Sequence, residues 1–361
     1  MNKLALLAAA GLALAGCKRN TDAKPSSLEG SAMTPASGAG SGGSATATMP
    51  KPITQDEIAK RFDDCWKQWG IAKWDAVQDC YTSDASFDTP GSGMPGVTGN
   101  ASIVALMQSR RTAFSDEKGQ TQLVLVDGRK LVGITLLTGK NTGPMKTPMG
   151  ESPATGKSIG LYMGQVLRFD DKGKITNESD YLDHATLEHQ LEPDNGHPSR
   201  SAIEKLTIPA QTVVAKDDAA EKANLGIAKQ FVDGFNKHDD KALAGLIADD
   251  AVWSDRTQPK NMTKKQLISH LGLLWKGFSD LKIAGADSMA AGNYVTTTAS
   301  FEGTNDGDLP VMHVKKTGKK VSVPVLIVHE FAGGKVKAAW LFYQSTSLAS
   351  QLGMTATASK K

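Results

Sequence analysis

The chain has 361 residues and 41 Lys and Arg against 38 Asp and Glu, for a formal net charge of +3. This near balance, without a basic stripe interleaved with aromatic residues, argues against nucleic acid as a partner. The length allows two domains of ordinary size.

The first residues predict an export signal. Met1-Asn2-Lys3 is followed by an apolar run from Leu4 to Ala15, which is shorter than the roughly 18 residues of a membrane-spanning helix. Leu14-Ala-Gly-Cys17 resembles the cleavage box of bacterial lipoproteins. We therefore expect a lipoprotein signal peptide over residues 1–16 and a lipid on Cys17. The alternative is an ordinary signal peptide with an incidental cysteine.

The predicted anchor sets the expected location. A lipidated cysteine would attach the protein to the cell envelope on its periplasmic side, with the membrane as a partner through the lipid. Lys18 follows the cysteine, and the resemblance to lipoprotein sorting rules then favours the outer membrane. Residues 17–52 are rich in Ser, Gly and Ala and lack periodic apolar positions, which indicates a flexible linker.

The rest of the chain repeats itself. Leu187-Glu-His-Gln-Leu191 and Leu348-Ala-Ser-Gln-Leu352 share the pattern L-x-x-Q-L, and the same order of structural signals precedes each. A repeat of this length indicates one structural unit present twice. We expect domains over residues 53–195 and 217–355, an inter-domain linker over 196–216, and a disordered tail over 356–361.

Each unit begins with helices and ends with strands. Apolar spacing of three and four predicts first helices around 59–66 and 228–235, and short second helices follow. Third helices are predicted over 100–114 and 263–278, the latter with Thr263 and Gln266 as a capping box. Alternating segments predict four strands per unit, over 120–127, 130–138, 158–169 and 174–182, and over 281–288, 294–301, 319–331 and 335–343. This order predicts an α+β fold in which three N-terminal helices pack on a curved antiparallel sheet.

Short motifs recur at matching places in the two units. The first has Asp84-Ala-x-Phe87, Gly139-Lys-Asn-Thr-Gly143, Thr155-Gly-Lys157, Gly173-Lys-Ile175 and Tyr181-Leu-Asp183; the second has Asp250-Ala-x-Trp253, Gly303-Thr-Asn-Asp-Gly307, Thr317-Gly-Lys319, Gly334-Lys-Val336 and Gln351-Leu-Gly353. The ordered set resembles the nuclear transport factor 2-like fold and, within it, the SnoaL-like polyketide cyclases, or ester cyclase-like proteins. The resemblance implies two cone-shaped domains, paired like the family's dimer but within one chain.

The resemblance also implies a catalytic candidate. SnoaL-like cyclases use an acidic residue on the last strand as general acid/base in an aldol ring closure, and Asp183 stands at the matching position. The equivalent residue of the second unit is Gln344, which cannot exchange a proton near neutral pH. The alternative is that Asp183 is only the N-cap of a short helix over 185–191.

Two further sets of residues are singled out. Cys65 and Cys80 lie on neighbouring predicted helices of an exported protein, which indicates a disulfide, with two separately buried thiols as the alternative. The candidate pocket residues are aromatic, and their alternative role is plain core packing: Trp66, Phe87, Tyr162, Tyr181, Trp253, Trp340 and Tyr343. The Pro- and Gly-rich segment 141–158 is predicted to be an irregular flap at the pocket mouth.

Three functions remain open from the sequence. The first is a module that binds a small apolar or amphipathic molecule in the cone pocket; the second is a cofactor-free cyclase or isomerase that uses Asp183; the third is a structural pair of domains that docks another envelope protein. The missing acid in the second unit favours binding, since fold alone does not carry function. No familiar metal-ligand spacing is present, and no cofactor is expected.

Overall fold

The computed structural model describes residues 52–354 except 148–149, 193–199 and 207. The side chains of residues 146, 147, 150 and 311 are also outside the description. The predicted signal peptide, Cys17, most of the linker and the predicted tail lie outside the described residues. Within the described part, no helix is long and apolar enough to cross a membrane.

Among its described residues, the first half contains four helices and eight strands. They are α1 Gln55–Gly70, α2 Trp74–Gln78, β1 Tyr81–Asp88, β2 Val97–Thr98, α3 Asn100–Ala113, β3 Lys118–Asp127, β4 Lys130–Lys140, β5 Met145–Thr147, β6 Gly150–Ser152, β7 Ser158–Phe169, β8 Ile175–Tyr181 and α4 His184–Leu191.

The second half repeats this order. After a short strand, β9 Gln211–Val214, it contains α5 Ala219–Asn236, α6 Asp240–Leu246, β10 Ile247–Asp255, β11 Met262–Thr263, α7 Lys264–Gly277, β12 Lys282–Ala291, β13 Tyr294–Thr304, a 3-10 turn Pro310–Met312, β14 Lys320–Ala332, β15 Lys335–Tyr343 and α8 Ser345–Leu352. The α+β class and the two-domain cone fold predicted from the sequence are confirmed.

Local sequence explains where the helices begin. A capping box, in which the N-cap side chain and the third helical residue bond each other's backbone N–H groups, starts three of the long helices. The pairs are Thr54 with Glu57, Asp218 with Glu221, and Thr263 with Gln266. Helix α1 then buries Ile58, Phe62, Cys65 and Trp69, whose spacing of four, three and four places them on one face.

The strands form two large sheets. Their orders are β2-β1-β8-β7-β4-β3-β9 and β11-β10-β15-β14-β13-β12. Most neighbouring strands are antiparallel, but β1 with β8, β10 with β15, and β3 with β9 run parallel. Strand β9 lies in the predicted inter-domain linker and extends the first sheet; it was not predicted from the sequence.

The recurring motifs stabilise the backbone. Gln190 accepts a hydrogen bond from Gly160 N (2.9 Å) and donates one to Gly160 O (3.1 Å), and Gln351 makes the same two bonds with Ser322 (2.7 and 3.0 Å). The L-x-x-Q-L glutamine therefore fastens the closing helix of each half to a strand. Asn141 acts likewise by bonding Ala113 O, Gly143 O and Thr155 N.

A disulfide joins α1 to the short segment between α2 and β1. The Sγ atoms of Cys65 and Cys80 are 2.10 Å apart, and 15 residues separate the two cysteines. A crosslink over a loop of that length stabilises a fold by about 3 kcal/mol in the chain-entropy model. The second half has Gly234 and Leu246 at the matching positions.

The two sheets share a buried cluster. It combines side chains of β3, β4, β7 and β8 with side chains of β12, β13, β14 and β15, including Leu125, Ile134, Leu326 and Phe342. At Gly164, an added Cβ would come within 2.6 Å of Leu326 Cδ2, so the close approach requires glycine. Each sheet covers its opposite face with its own helices and its own core.

The segment 141–158 is more regular than predicted. Strands β5 and β6 pair antiparallel, with Met145 opposite Ser152. The expectation of an irregular flap was therefore wrong in its conformation, because residues 145–147 and 150–152 form two paired strands.

Candidate functional site

A cavity of about 260 Å³ lies in the first half, between its helices and its sheet. Helices α1 and α3, strands β7 and β8 and the start of α4 supply its walls. Most of the wall is apolar, and its larger side chains include Phe62, Trp66, Trp69, Met107, Phe114 and Leu187. An apolar cavity with a few polar groups is the usual form of a small-molecule site.

Strand β8 supplies the polar part of the wall. Glu178, Asp180 and Leu182 all line the cavity, because side chains two residues apart point to the same face of a strand. Glu178 is 4% exposed and Asp180 is 7% exposed. Two neighbouring carboxyl groups are thus buried on one cavity wall.

Glu178 is held by a hydrogen-bond network. The Tyr81 hydroxyl donates to Glu178 Oε2, Gln165 Nε2 donates to Glu178 Oε1 at 3.0 Å, and Thr135 Oγ1 donates to Gln165 Oε1 at 3.1 Å. Burial raises the pKa of Glu178, although the bonds from Tyr81 and Gln165 act against the increase. The same burial, with the nearby Glu178, raises the pKa of Tyr81 well above its ordinary value.

Asp180 differs because its Oδ1 atom is buried without a hydrogen-bond partner among the described residues. Burial and the charge of Glu178 together raise the pKa of Asp180 well above its ordinary value, against the opposing charge of Arg110. Burial therefore favours the protonated form of the Asp180 carboxyl, which can exchange its proton with a bound molecule.

The remaining charged group at the cavity already has a carboxylate partner. Arg110 lines the cavity and donates from Nε (2.9 Å) and Nη2 (2.6 Å) to Glu117 Oε1. Glu117 is 1% exposed. His184, at the start of α4, also lines the cavity, and burial lowers its pKa, so the imidazole is uncharged at neutral pH.

The second half lacks this polar set. The repeat and the strand registers align six polar residues at or next to the cavity with apolar counterparts: Tyr81 with Ile247, Arg110 with Leu274, Glu117 with Leu281, Gln165 with Ile327, Glu178 with Ala339, and Asp180 with Leu341. All six counterparts belong to or pack against the second half's apolar core. The cavity chemistry described above therefore belongs to the first half.

Asp183, the predicted general acid/base, is not part of the cavity wall. Its Oδ2 accepts hydrogen bonds from Thr186 N (3.0 Å) and Thr186 Oγ1 (2.8 Å), so it is the N-cap of α4. Its Oδ1 accepts from Ser345 N (3.0 Å) and Ser345 Oγ (2.7 Å) in the second half. The pocket-facing role was wrong because Asp183 follows the strand, whereas Asp180 lies on its cavity face.

The predicted pocket residues divide into two groups. Trp66 and Phe87 line the cavity. The other five do not, because they face the opposite side of the first sheet or lie in the second half: Tyr162, Tyr181 and Trp340 pack in or against the cluster between the sheets, Trp253 stacks on Phe231 in the second core, and the Tyr343 hydroxyl lies 2.9 Å from Thr257 Oγ1. For these five the core-packing alternative describes their positions.

Sequence reasoning missed the polar set, although a signal for it was present. The prediction that Tyr181 faces the pocket chose the wrong set of alternate residues on β8, because a shift of one residue exchanges the two faces of a strand. A position-by-position comparison of the halves would have shown polar residues in one copy where the other has Leu, Ile or Ala. The part of the chain described here contains no group of three or more His, Cys, Asp or Glu side chains placed to hold a metal ion.

Comparison with known proteins gives two matches along the chain. The profile of the family described as SnoaL-like polyketide cyclase matches residues 56–191, and the profile described as SnoaL-like domain matches residues 228–339. No curated protein sequence gives a significant match.

Three of the solved structures similar to this chain come from Streptomyces species. AclR from Streptomyces galilaeus is 21% identical over 37% of this chain and 98% of its own, with a TM-score of 0.35. IdmH from Streptomyces antibioticus is 21% identical over 36% and 98%, with a TM-score of 0.33. TsrD from Streptomyces laurentii is 16% identical over 38% and 98%, with a TM-score of 0.34.

Proposed function

Since the chain belongs to the SnoaL-like family in both of its halves, we propose that it binds a small, mostly apolar molecule in the cavity of its first half. The observation that carries this proposal is Asp180, a buried acid that lines an apolar cavity and whose Oδ1 has no hydrogen-bond partner among the described residues. A buried polar atom left unpaired costs about 1–3 kcal/mol. A bound molecule that pairs with Asp180 would remove that cost.

A second candidate function is acid/base catalysis of the cyclase or isomerase type. The raised pKa of Asp180, caused by burial and by Glu178, favours it, because a general acid works best when its pKa lies near the operating pH. Asp180 would donate its proton to an oxygen of the substrate and recover it from a carbon or oxygen of the product. Glu178, fixed by Tyr81 and Gln165, would keep the proton on Asp180.

The second half would then support the first as an intramolecular pseudo-dimer of domains over 53–195 and 217–355. Reciprocal contacts between the closing helices support this arrangement. Asp183 accepts from Ser345 N (3.0 Å), and Gln344 Oε1 accepts from His184 N (3.1 Å). Equivalent residues thus exchange equivalent bonds, as at the interface of a two-fold dimer.

The proposed place of action is the periplasmic side of the cell envelope, with a lipid on Cys17 and the outer membrane as the favoured attachment. The proposal rests on the sequence around Cys17 and on the Ser- and Gly-rich stretch that follows. Near a membrane, the first-half cavity would meet apolar or amphipathic molecules at high local concentration.

A blocked cavity tests the binding function. Met107 lines the cavity on α3, whereas Gln108, its neighbour, is exposed and does not. Met107→Trp should fill part of the cavity, whereas Gln108→Trp adds the same indole ring outside the cavity. Small molecules that copurify with the unlipidated protein would be identified by mass spectrometry in both variants and in the wild type.

The expected result is a small molecule bound in near-stoichiometric amount to the wild type and to Gln108→Trp, and reduced at least tenfold in Met107→Trp. Equal amounts in all three proteins would place the molecule elsewhere and contradict the proposal. Melting curves of the two variants show whether either substitution has disturbed the fold.

A further inference from the structure

We propose that the molecule bound in the first-half cavity is an organic cation, an ammonium group on an apolar frame, which pairs with Asp180 and Glu178. This inference rests on the proposed binding function and specifies its ligand class. It follows from three properties of the cavity wall: the hydrogen-bond donors already in use, the excess of carboxyl groups, and the aromatic side chains.

The donors of the wall are largely committed to its acids. Tyr81 and Gln165 donate to Glu178, and Arg110 donates from Nε and Nη2 to Glu117. Asp180 Oδ1, in contrast, is a buried acceptor without a donor among the described residues. The group that complements this wall is a hydrogen-bond donor, because acceptor capacity is what the protein leaves unused.

The charges of the wall point the same way. Glu178 and Asp180 are two acids on one strand, while the nearest cation, Arg110, already has the buried Glu117 as its partner. His184 is uncharged because burial lowers its pKa. An anionic ligand would therefore meet two carboxyl groups, whereas a cation would allow Asp180 to ionise by adding an opposite charge beside it.

Aromatic rings complete the site. Phe62, Trp66, Trp69, Tyr81, Phe87 and Phe114 line the cavity. Trp66 and Trp69 meet edge to face with ring centroids 4.9 Å apart. The negative face of an aromatic ring attracts a cation, and such contacts strengthen when water is excluded. Aromatic walls with a buried acid therefore suit an ammonium group better than a neutral polar group.

A matched pair of probes tests the ligand class. 2-Phenylethylammonium and propylbenzene have nearly the same shape, and only the first carries a charge and N–H donors. Binding of each to the protein would be followed by tryptophan fluorescence and by calorimetry, between pH 5 and pH 9. The variants are Asp180→Asn, which keeps the shape and removes the acid, and Asp255→Asn as a control, since Asp255 is a buried acid of the second half that does not line the cavity.

The expected result is at least tenfold tighter binding of the cation at high pH. Its affinity should fall as the pH is lowered, because Asp180 becomes protonated, while the neutral probe should show no such change. Around Asp180, the other charged and titratable groups are Glu178 on β8, Tyr81 on β1, Arg110 on α3, His184 on α4 and Glu117 behind Arg110. The preference should disappear in Asp180→Asn and remain in Asp255→Asn.

Other outcomes overturn the proposal in distinguishable ways. Equal or tighter binding of the neutral probe would show that the cavity takes neutral molecules, and the binding function would stand. Binding of neither probe would overturn both the ligand class and the binding function. A preference for the cation that survives in a folded Asp180→Asn protein would remove Asp180 from the site, and the wild-type pH dependence checks the same point without a substitution.

Discussion

At the scale of the residue, the two halves carry side chains of opposite polarity at equivalent positions. The first half buries Asp180 next to Glu178 on the cavity wall, and the second half has Leu341 and Ala339 there, within an apolar core. Burying a carboxyl without a partner is costly. Proteins retain such groups at functional sites and lose stability in exchange.

Replacing Asp180 by the residue of the other half should stabilise the protein. Asp180→Leu removes a buried carboxyl group whose Oδ1 has no hydrogen-bond partner among the described residues, and we expect the free energy of unfolding to rise by about 1–3 kcal/mol. Urea unfolding followed by circular dichroism measures the change. A loss of stability would mean that Asp180 has a structural partner that offsets its burial.

The gain from Asp180→Leu should depend on pH. The pKa of Asp180 is raised in the folded state by burial and by Glu178, so the unfolded chain releases this proton at lower pH than the folded one. The wild type therefore loses stability as the pH rises above about 4, the ordinary pKa of Asp. The advantage of Asp180→Leu should grow from pH 4 upward.

His329 predicts the opposite pH dependence. Its ring is 2% exposed, neither ring nitrogen has a hydrogen-bond partner in the described part of the chain, and burial lowers its pKa from 6.5 to about 4. Its counterpart in the first half is Leu167. Below pH 6.5 the unfolded chain takes up a proton that the folded chain resists, so stability falls between pH 6.5 and pH 4.

The variant His329→Leu should remove that loss. At 1.36 kcal/mol per pKa unit, the wild type should lose up to about 3 kcal/mol relative to the variant across this window. Urea unfolding at pH 7, 5.5 and 4 measures the difference. If the difference in unfolding free energy between variant and wild type does not widen toward pH 4, His329 is hydrogen-bonded in solution.

At the scale of the element, the closing helices show how the repeat is maintained. Gln190 and Gln351 fasten α4 and α8 to β7 and β14 with the same two bonds. The bonds of Gln190 are buried, whereas those of Gln351 are exposed. Water can replace a lost partner only at the exposed site.

Removing each glutamine should therefore have unequal effects. We expect Gln190→Ala to cost about 1–3 kcal/mol, because it leaves a buried backbone N–H unpaired, and Gln351→Ala to cost less. Thermal unfolding of both variants under the same conditions gives the comparison. Equal losses would show that the difference in burial does not matter at this contact.

Sequence patterns predicted the elements more closely than the site. Helix α3, predicted over 100–114, spans Asn100–Ala113, and β15, predicted over 335–343, spans Lys335–Tyr343. Periodicity and caps are local properties, so the chain alone displays them. Which acids reach the cavity depends on which alternate residues of β8 face it. Tyr181 was predicted to face the pocket, whereas its neighbour Asp180 does so, and a shift of one residue exchanges the two faces. Strand β9 was missed because only its partner β3 makes its four residues a strand.

At the scale of the whole molecule, pseudo-symmetry and asymmetry coexist. The sheets pack through a common buried cluster. An ion pair also links the halves, because Lys130 Nζ on β4 lies 2.9 Å from Asp287 Oδ2 on β12. The fold is thus duplicated while the cavity chemistry is retained once. Such a division lets one half carry a costly site while the other contributes packing.

The proposed anchor makes a prediction at this scale. Cys17→Ser should move the protein from the membrane fraction to the soluble periplasmic fraction, because stable anchoring depends on acyl chains attached to the cysteine. Cell fractionation followed by immunoblotting measures the distribution, and Ser26→Ala in the linker is a control that should remain with the membrane. A Cys17→Ser protein that stays membrane-bound would contradict the lipid anchor.

The protonation of Asp180 is central to the proposed site, and its titration can be measured directly. Carbon-13 NMR of the labelled side-chain carboxyl groups, with Asp180 assigned by its absence in Asp180→Asn, gives the pKa in the intact protein. We expect a midpoint well above the ordinary Asp value of about 3.9, because burial and Glu178 disfavour the charged form. A midpoint at or below that value in the ligand-free protein would show a paired carboxylate and contradict the proposed site.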